Sequence, residues 1–145
     1  QVDITKLATL SGLKRDTIIN YLSYLDKAKL IRLLYSDLKN IKRMQKPDKI
    51  YIDNTNLLNA WATAPIQIGT IRETFVANQL SVNHVVEFRK TNGDFLVDSK
   101  YTFEVGGDDK DFQQIANVAD SFILADDMET AIGKKLPIWV VGFDY

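Results

Sequence analysis

The sequence contains no cysteine and a single histidine. The first absence excludes disulfides and thiolate metal sites and agrees with a cytoplasmic protein, the localisation expected here. The second excludes a zinc site built from several histidines. His84 stands just before a predicted strand and reads as a surface residue; no motif offers it a nucleophile to activate. No apolar run approaches the roughly 18 residues of a membrane span, so no membrane partner is expected. No signal peptide is recognisable. The chain opens Gln1-Val2-Asp3 without a methionine, which leads us to expect a piece of a larger protein. A phosphate-binding loop of the form Gly-x-x-x-x-Gly-Lys-Ser/Thr is also missing. Gly133-Lys134 lacks both the first glycine and the hydroxyl residue.

What is present describes a globular chain of 145 residues, 46% apolar and 26% charged, enough for one ordinary domain or two small ones. Its net charge of −1 hides an asymmetry. Residues 1–50 hold 11 Lys/Arg against 5 Asp/Glu, a net +6, and residues 51–145 hold 7 against 14, a net −7. A basic half beside an acidic half predicts two modules with different partners, the first suited to a polyanion.

In the basic half, Ile4, Leu7, Ala8 and Leu10 fall close to helical spacing and Gly12 is placed to close that helix. A second helix is predicted from Lys14 to Ala28, with Ile18, Tyr21, Leu22, Leu25 and Ala28 on its apolar face. Leu30–Tyr35 and Lys49–Ile52 read as two antiparallel strands, separated by a loop that carries Lys39, Lys42, Arg43 and Lys46. Two helices joined by a glycine turn and followed by a basic hairpin make a winged helix-turn-helix over residues 1–53, with its usual first helix missing. If it contacts DNA, the second helix presents Lys14, Arg15, Thr17 and Asn20 to the major groove. Lys39, Lys42, Arg43 and Lys46 would then rest on phosphates. The competing reading of such a module is protein docking, with the wing charges simply solvated.

Residues 54–145 read as a mixed α/β unit. Asp53-Asn54-Thr55 is a helix start, with a short helix at Leu57–Trp61 ended by Pro65. The next helix is predicted over Ile71–Val82 with Phe75, Val76 and Leu80 buried. Thr70 and Glu73 have capping-box spacing; the alternative is that Glu73 points toward acids further along the chain. Val85–Arg89, Phe95–Val97 and Tyr101–Val105 are strands, with turn signals at Asn92-Gly93 and Asp98-Ser99-Lys100. A helix is predicted over Asp109–Val118 with Phe112, Ile115 and Val118 facing inward. A strand follows at Ser121–Ala125 that returns to the same sheet. Asp126-Asp127-Met128-Glu129 reads as a solvated acidic loop, and Pro137–Phe143 as an apolar tail needing burial.

The stretch Asn92–Gly107 carries the chemistry. A three-residue loop tipped by Ser99 sets Val97 opposite Tyr101, Phe95 opposite Phe103 and Asp94 opposite Glu104. Like charges facing each other destabilise a sheet by roughly 0.2–1 kcal/mol, so the pair is either solvated or used, most plausibly on a divalent metal.

Asp94 followed by Glu104-Val105-Gly106 resembles the D…(D/E)-X-K core of the PD-(D/E)XK nuclease fold. With Lys49–Leu57, Gly69–Glu73, Gly93–Asp98 and Phe103–Gly107 in order, the whole chain is similar to the C-terminal region of prokaryotic AAA+-type P-loop ATPases. There a winged helix and a nuclease-like domain of unknown function follow the motor. The resemblance implies a winged helix followed by a nuclease-like sheet flanked by helices, with the chain's own upstream ATPase domain as a partner. It also implies that ATP binds only in the missing motor, and it leaves room for an oligomer. It gives Asp94 and Glu104 to Mg²⁺, with Glu73 as a third acid. The lysine that polarises water in that family stands here as Gly106. Lys110 is the substitute within reach, with Gln113 or Gln114 also able to face the cleft. Because Asp108, Asp109 and Asp111 crowd the site with negative charge, a degenerate, non-catalytic domain that binds DNA or a partner is expected. The alternative is a Mg²⁺-dependent nuclease with a relocated lysine.

Overall fold

A computed structural model describes residues 3–36, 38 and 45–143. The chain is mixed α/β, as its patterning predicts. Helix α1 (Ile4–Ser11) is capped by the Asp3 carboxylate, which accepts from the Lys6 amide, and is closed by Gly12 at φ 68°. Helix α2 (Arg15–Lys27) packs on α1 through Ile4, Ile18 and Ile19, with Ala8 and Leu22 alongside. Tyr21 and Leu25, predicted for the buried face, are instead exposed. The apolar side of α2 faces α1 through Ile18 and Ile19, which turns Tyr21 and Tyr24 outward.

Strands β1 (Ile31–Leu34) and β2 (Lys49–Ile52) form an antiparallel hairpin with Ile31 opposite Ile52. Helix α3 (Thr55–Trp61) starts where expected, with Asn54 Oδ1 accepting from the Leu57 amide. Helix α4 (Ile68–Leu80) begins earlier than predicted, after Gln67. Thr70 therefore lies inside the first turn and its capping box with Glu73 does not form.

Five strands make the second sheet in the order β3 (Val86–Phe88), β4 (Phe95–Val97), β5 (Tyr101–Gly106), β6 (Ser121–Ala125), β7 (Lys135–Pro137). The first three are antiparallel, and β6 and β7 add in parallel. The β4–β5 register is the one read from the turn: Phe95 faces Phe103 and Val97 faces Tyr101. That turn holds Asp98 at φ 52° and Ser99 at φ 57° without a glycine, a conformation that L-residues other than Asn and Asp seldom take. Gly93, at φ 110° in the preceding turn, is required. A Cβ there would come within 2.6 Å of Thr102 Cγ2.

The connection from β5 to β6 is not the predicted helix. Only a 3₁₀ turn, Gln113–Ile115, forms, and Phe112 is partly exposed. The Asp111 carboxylate accepts from the Gln113 amide, a local bond that competes with helical pairing. Ile115 still enters the core, beside Val118 and Met128. Strand β7 escapes the sequence reading because Pro137 sits in it. Proline is tolerated there because β7 is an edge strand. A 3₁₀ segment, Ile138–Phe143, then buries Ile138 and Val141 against α4.

The main core is shared across the chain. Leu34 of β1 and Tyr51 of β2 belong to the same cluster as Val76, Ala77, Leu80, Phe95, Val97, Val105 and Leu124. The Phe88 amide donates to the Tyr35 carbonyl at 2.9 Å, stitching the hairpin's end to β3. The boundary expected after Asp53 thus runs between elements that share one interior. Among the described residues, no helix is long and apolar enough to cross a membrane.

Candidate functional site

Alternation along β4 and β5 puts Asp94 and Glu104 on one face of the sheet, opposite the face that carries Phe95 and Phe103. The backbone ladder ends at Asp94, whose amide donates to the Phe103 carbonyl at 2.8 Å. Its carboxylate then extends the ladder by one bond, accepting from the Val105 amide at 2.8 Å. Burial pushes the Asp94 carboxyl up to about 6, helped by the nearby charges of Glu104 and Glu73 and opposed by the Val105 bond and by Lys110.

Glu104 is 2% exposed and is not left alone. Lys110 Nζ lies 2.5 Å from its Oε1. With its amide turned so that nitrogen faces the carboxylate, Gln114 donates to both oxygens at 2.8 and 3.1 Å. Both donors come from the β5–β6 connection, which lies against the strand at Glu104. The bond to Glu104 raises the Lys110 ammonium above the ordinary lysine range.

Gly106 explains how the lysine reaches. A Cβ built on Gly106 would stand 2.7, 2.8 and 2.9 Å from Lys110 Cβ, Cγ and Cδ. The stem of Lys110 occupies the room that any side chain at 106 would fill. Gln113 and Gln114 are both exposed as residues; of the two, only Gln114 has its amide against Glu104.

Glu73, freed from capping, projects from α4 to the hairpin. Tyr51 Oη donates to Glu73 Oε2 at 2.6 Å and Lys49 Nζ lies 3.1 Å from the same oxygen. Burial and the bond to Glu73 push the Tyr51 phenol far above its usual range. Sequence reasoning missed Lys49 and Tyr51 as partners. The signal that could have found them is their spacing of two on β2, which puts both on one face. It also missed Arg72, whose guanidinium pairs with Asp126 at 3.1 Å and Asp127 at 3.5 Å. Those two acids are therefore engaged and not simply solvated. His84 Nδ1 lies 2.6 Å from Asp98 Oδ2, partly exposed.

Asp94 and Glu104 supply hard oxygens of the kind Mg²⁺ takes. Among the described residues, however, no group of three His, Cys, Asp or Glu side chains converges well enough to hold a metal. Val105 already engages Asp94, and Lys110 and Gln114 engage Glu104. A divalent ion fits this donor set only by displacing the Lys110 ammonium.

Of the residues proposed to meet DNA, Lys14 and Arg15 are exposed at the start of α2, Asn20 is exposed in its second turn, and Thr17 is half-buried. Arg15 lies 3.5 Å from Asp16. Lys46 is half-buried ahead of β2. Lys39, Lys42 and Arg43 lie outside the described residues.

No family model, curated protein or solved structure matches this chain.

Proposed function

We propose that this chain is the nucleic-acid-engaging C-terminal region of an AAA+-type ATPase. In this reading a winged helix-turn-helix is joined to a PD-(D/E)XK-like domain whose acidic cluster is closed by its own lysine and does not hydrolyse phosphodiesters. The observation that carries the reading is the state of Glu104. It is buried, its Oε1 is bonded to Lys110, and the turned Gln114 amide reaches both of its oxygens. Phosphodiester hydrolysis calls for carboxylates that are free to clamp a metal. Here the charge that would attract the metal is already balanced from within.

Nucleic-acid binding rests on exposed Lys14 and Arg15 at the N-terminus of α2, on exposed Asn20 one turn further along, and on the +6 charge of residues 1–50. Duplex affinity should fall steeply with salt. Replacing Lys14 and Arg15 by Gln should lower the log–log slope by about 0.9 for each phosphate that is no longer neutralised. A flat salt response would leave the helix pair as a protein-docking element.

One observation favours a second reading, a Mg²⁺-dependent nuclease with a relocated lysine. The Lys110 stem fills the space over Gly106, so the ammonium arrives beside Glu104 from a different place in the chain. In that case Asp94 and Glu104 would hold the ion, which would supply charge stabilisation when bound, and Lys110 would turn from Glu104 toward the substrate phosphate. Calorimetry with Mg²⁺ and Mn²⁺ separates the two. No binding heat and no metal-dependent cleavage of a labelled oligonucleotide support the closed site. Heat and cleavage that both disappear in Glu104→Gln establish the nuclease.

A further inference from the structure

Along the seam between hairpin and sheet lies a recess of about 340 Å³ lined by Asp48, Lys49, Phe88 and Lys90. We propose that this recess is a subsite for single-stranded nucleic acid, with Lys49 and Lys90 on backbone phosphates and Phe88 as the floor beneath a base. The proposal rests on the nucleic-acid reading above and adds to it where the strand runs and which form is bound.

Three features point there. First, the recess is built on a fixed seam. Phe88 is tied by its amide to the Tyr35 carbonyl, and Lys49 begins β2 opposite Leu34. Second, one ammonium group stands near an aromatic ring and a second lies at the rim of the same recess. Lys49 Nζ stands 5.9 Å from the Phe88 ring centroid and 5.2 Å from that of Tyr51, and Lys90 is 63% exposed at the rim. Cations that track a backbone, with an aromatic ring on which a base can stack, are the recurring means of holding an unpaired strand. A base in a duplex is stacked on its neighbours and cannot lie on a half-buried ring. Third, the recess adjoins one acid of the sequence-predicted site through a direct contact. Lys49, on its wall, is bonded to Glu73 of α4.

Both lysines carry a carboxylate partner in the free protein, Asp48 at 3.1 Å from Lys90 and Glu73 at 3.1 Å from Lys49. A phosphate that takes over the lysines leaves Asp48 on the Ser36 amide and hydroxyl and Glu73 on the Tyr51 hydroxyl, so neither acid is stranded.

The test uses fluorescence anisotropy of the whole chain with a labelled oligothymidine and, separately, with a labelled duplex, each over a salt series without divalent metal. Lys90→Gln should weaken oligothymidine binding severalfold at low salt. Adding Lys49→Gln should lower the single-strand salt slope by about 1.4 in total, from about 0.7 per phosphate. Phe88→Leu should weaken binding by about fivefold or more with the slope unchanged. None of these should alter duplex binding, which Lys14→Gln with Arg15→Gln should weaken. The exposed Lys90 variant guards against misfolding as an explanation, and each variant's thermal transition is recorded alongside. Oligothymidine binding that is unmoved by Lys90→Gln and Phe88→Leu overturns the recess while leaving the duplex reading intact. If neither nucleic acid binds at low salt, the broader reading falls and the recess with it.

Discussion

The stem of Lys110 lies across the bare α-carbon of Gly106, with three of its methylenes inside 3 Å of where a Cβ would stand. These two positions are therefore coupled. Gly106→Ala should destabilise the chain by about 1–3 kcal/mol, the usual cost of overpacking. In a Lys110→Ala background the same change should cost much less. Denaturant titration of the four members of this cycle should give a coupling of about 1 kcal/mol or more. Additive effects would mean that the lysine rests elsewhere in solution.

Removing the ammonium while leaving the carboxylate is a harsher change. Lys110→Met keeps much of the stem but strands Glu104, which is 2% exposed. Breaking a buried pair from one side costs about 3–5 kcal/mol. Gln114 still donates, so the lower part of that range is expected. Adding Glu104→Gln should recover most of the loss, since no charge then remains to be solvated. A Lys110→Met variant as stable as the parent would show that the ion pair contributes nothing.

Asp94 gives a pH dependence with a definite sign. Its carboxyl is raised to about 6 in the folded chain, against about 3.9 in an unfolded one. The folded state therefore holds the proton more tightly. Stability from this group is greatest below about pH 4 and is lost as pH rises toward 6. The penalty above pH 6 is at most about 3 kcal/mol. Asp94→Asn keeps an oxygen for the Val105 amide and removes the charge. It should raise the melting temperature at pH 8, with the gain vanishing near pH 4. A variant less stable than the parent at pH 8 would contradict this.

Tyr51 joins the hairpin to α4 through Glu73 at 2.6 Å. Tyr51→Phe retains the ring packed on Phe95 and loses only the hydroxyl. Hydrogen bonds to charged groups contribute about 1.5–3 kcal/mol, which should appear as a lower urea midpoint at unchanged slope. A change in slope would mean that the hairpin detaches.

Local chemistry was legible in the sequence. The loop at Asp98-Ser99-Lys100 set the β4–β5 register, Asn54 announced α3, and Gly12 marked the end of α1. Each of these depends on residues within a few positions of one another. The failures involve competition or distance. The helix predicted over 109–118 lost to the Asp111 bond and to the pull of Lys110 and Gln114 on Glu104. The capping box lost because α4 starts at Ile68, three residues ahead of the predicted Ile71. Lys110 could be named from its distance to Glu104 along the chain. Its route over Gly106 could not, because that is a packing fact of the folded chain. Nor could the use of Leu34 and Tyr51 in the sheet's core, which joins residues far apart in sequence.

That last feature bears on how the molecule should be cut. Leu34 and Tyr51 fill the same interior as Val76, Phe95 and Leu124. A truncation at residue 54 would strip the lid from that interior and leave a greasy, sticky remnant, while the discarded piece would keep only the few isoleucines between α1 and α2. Fragments for biochemistry are best started upstream of Ile31, and heating the intact chain should melt the hairpin and the sheet in a single cooperative step.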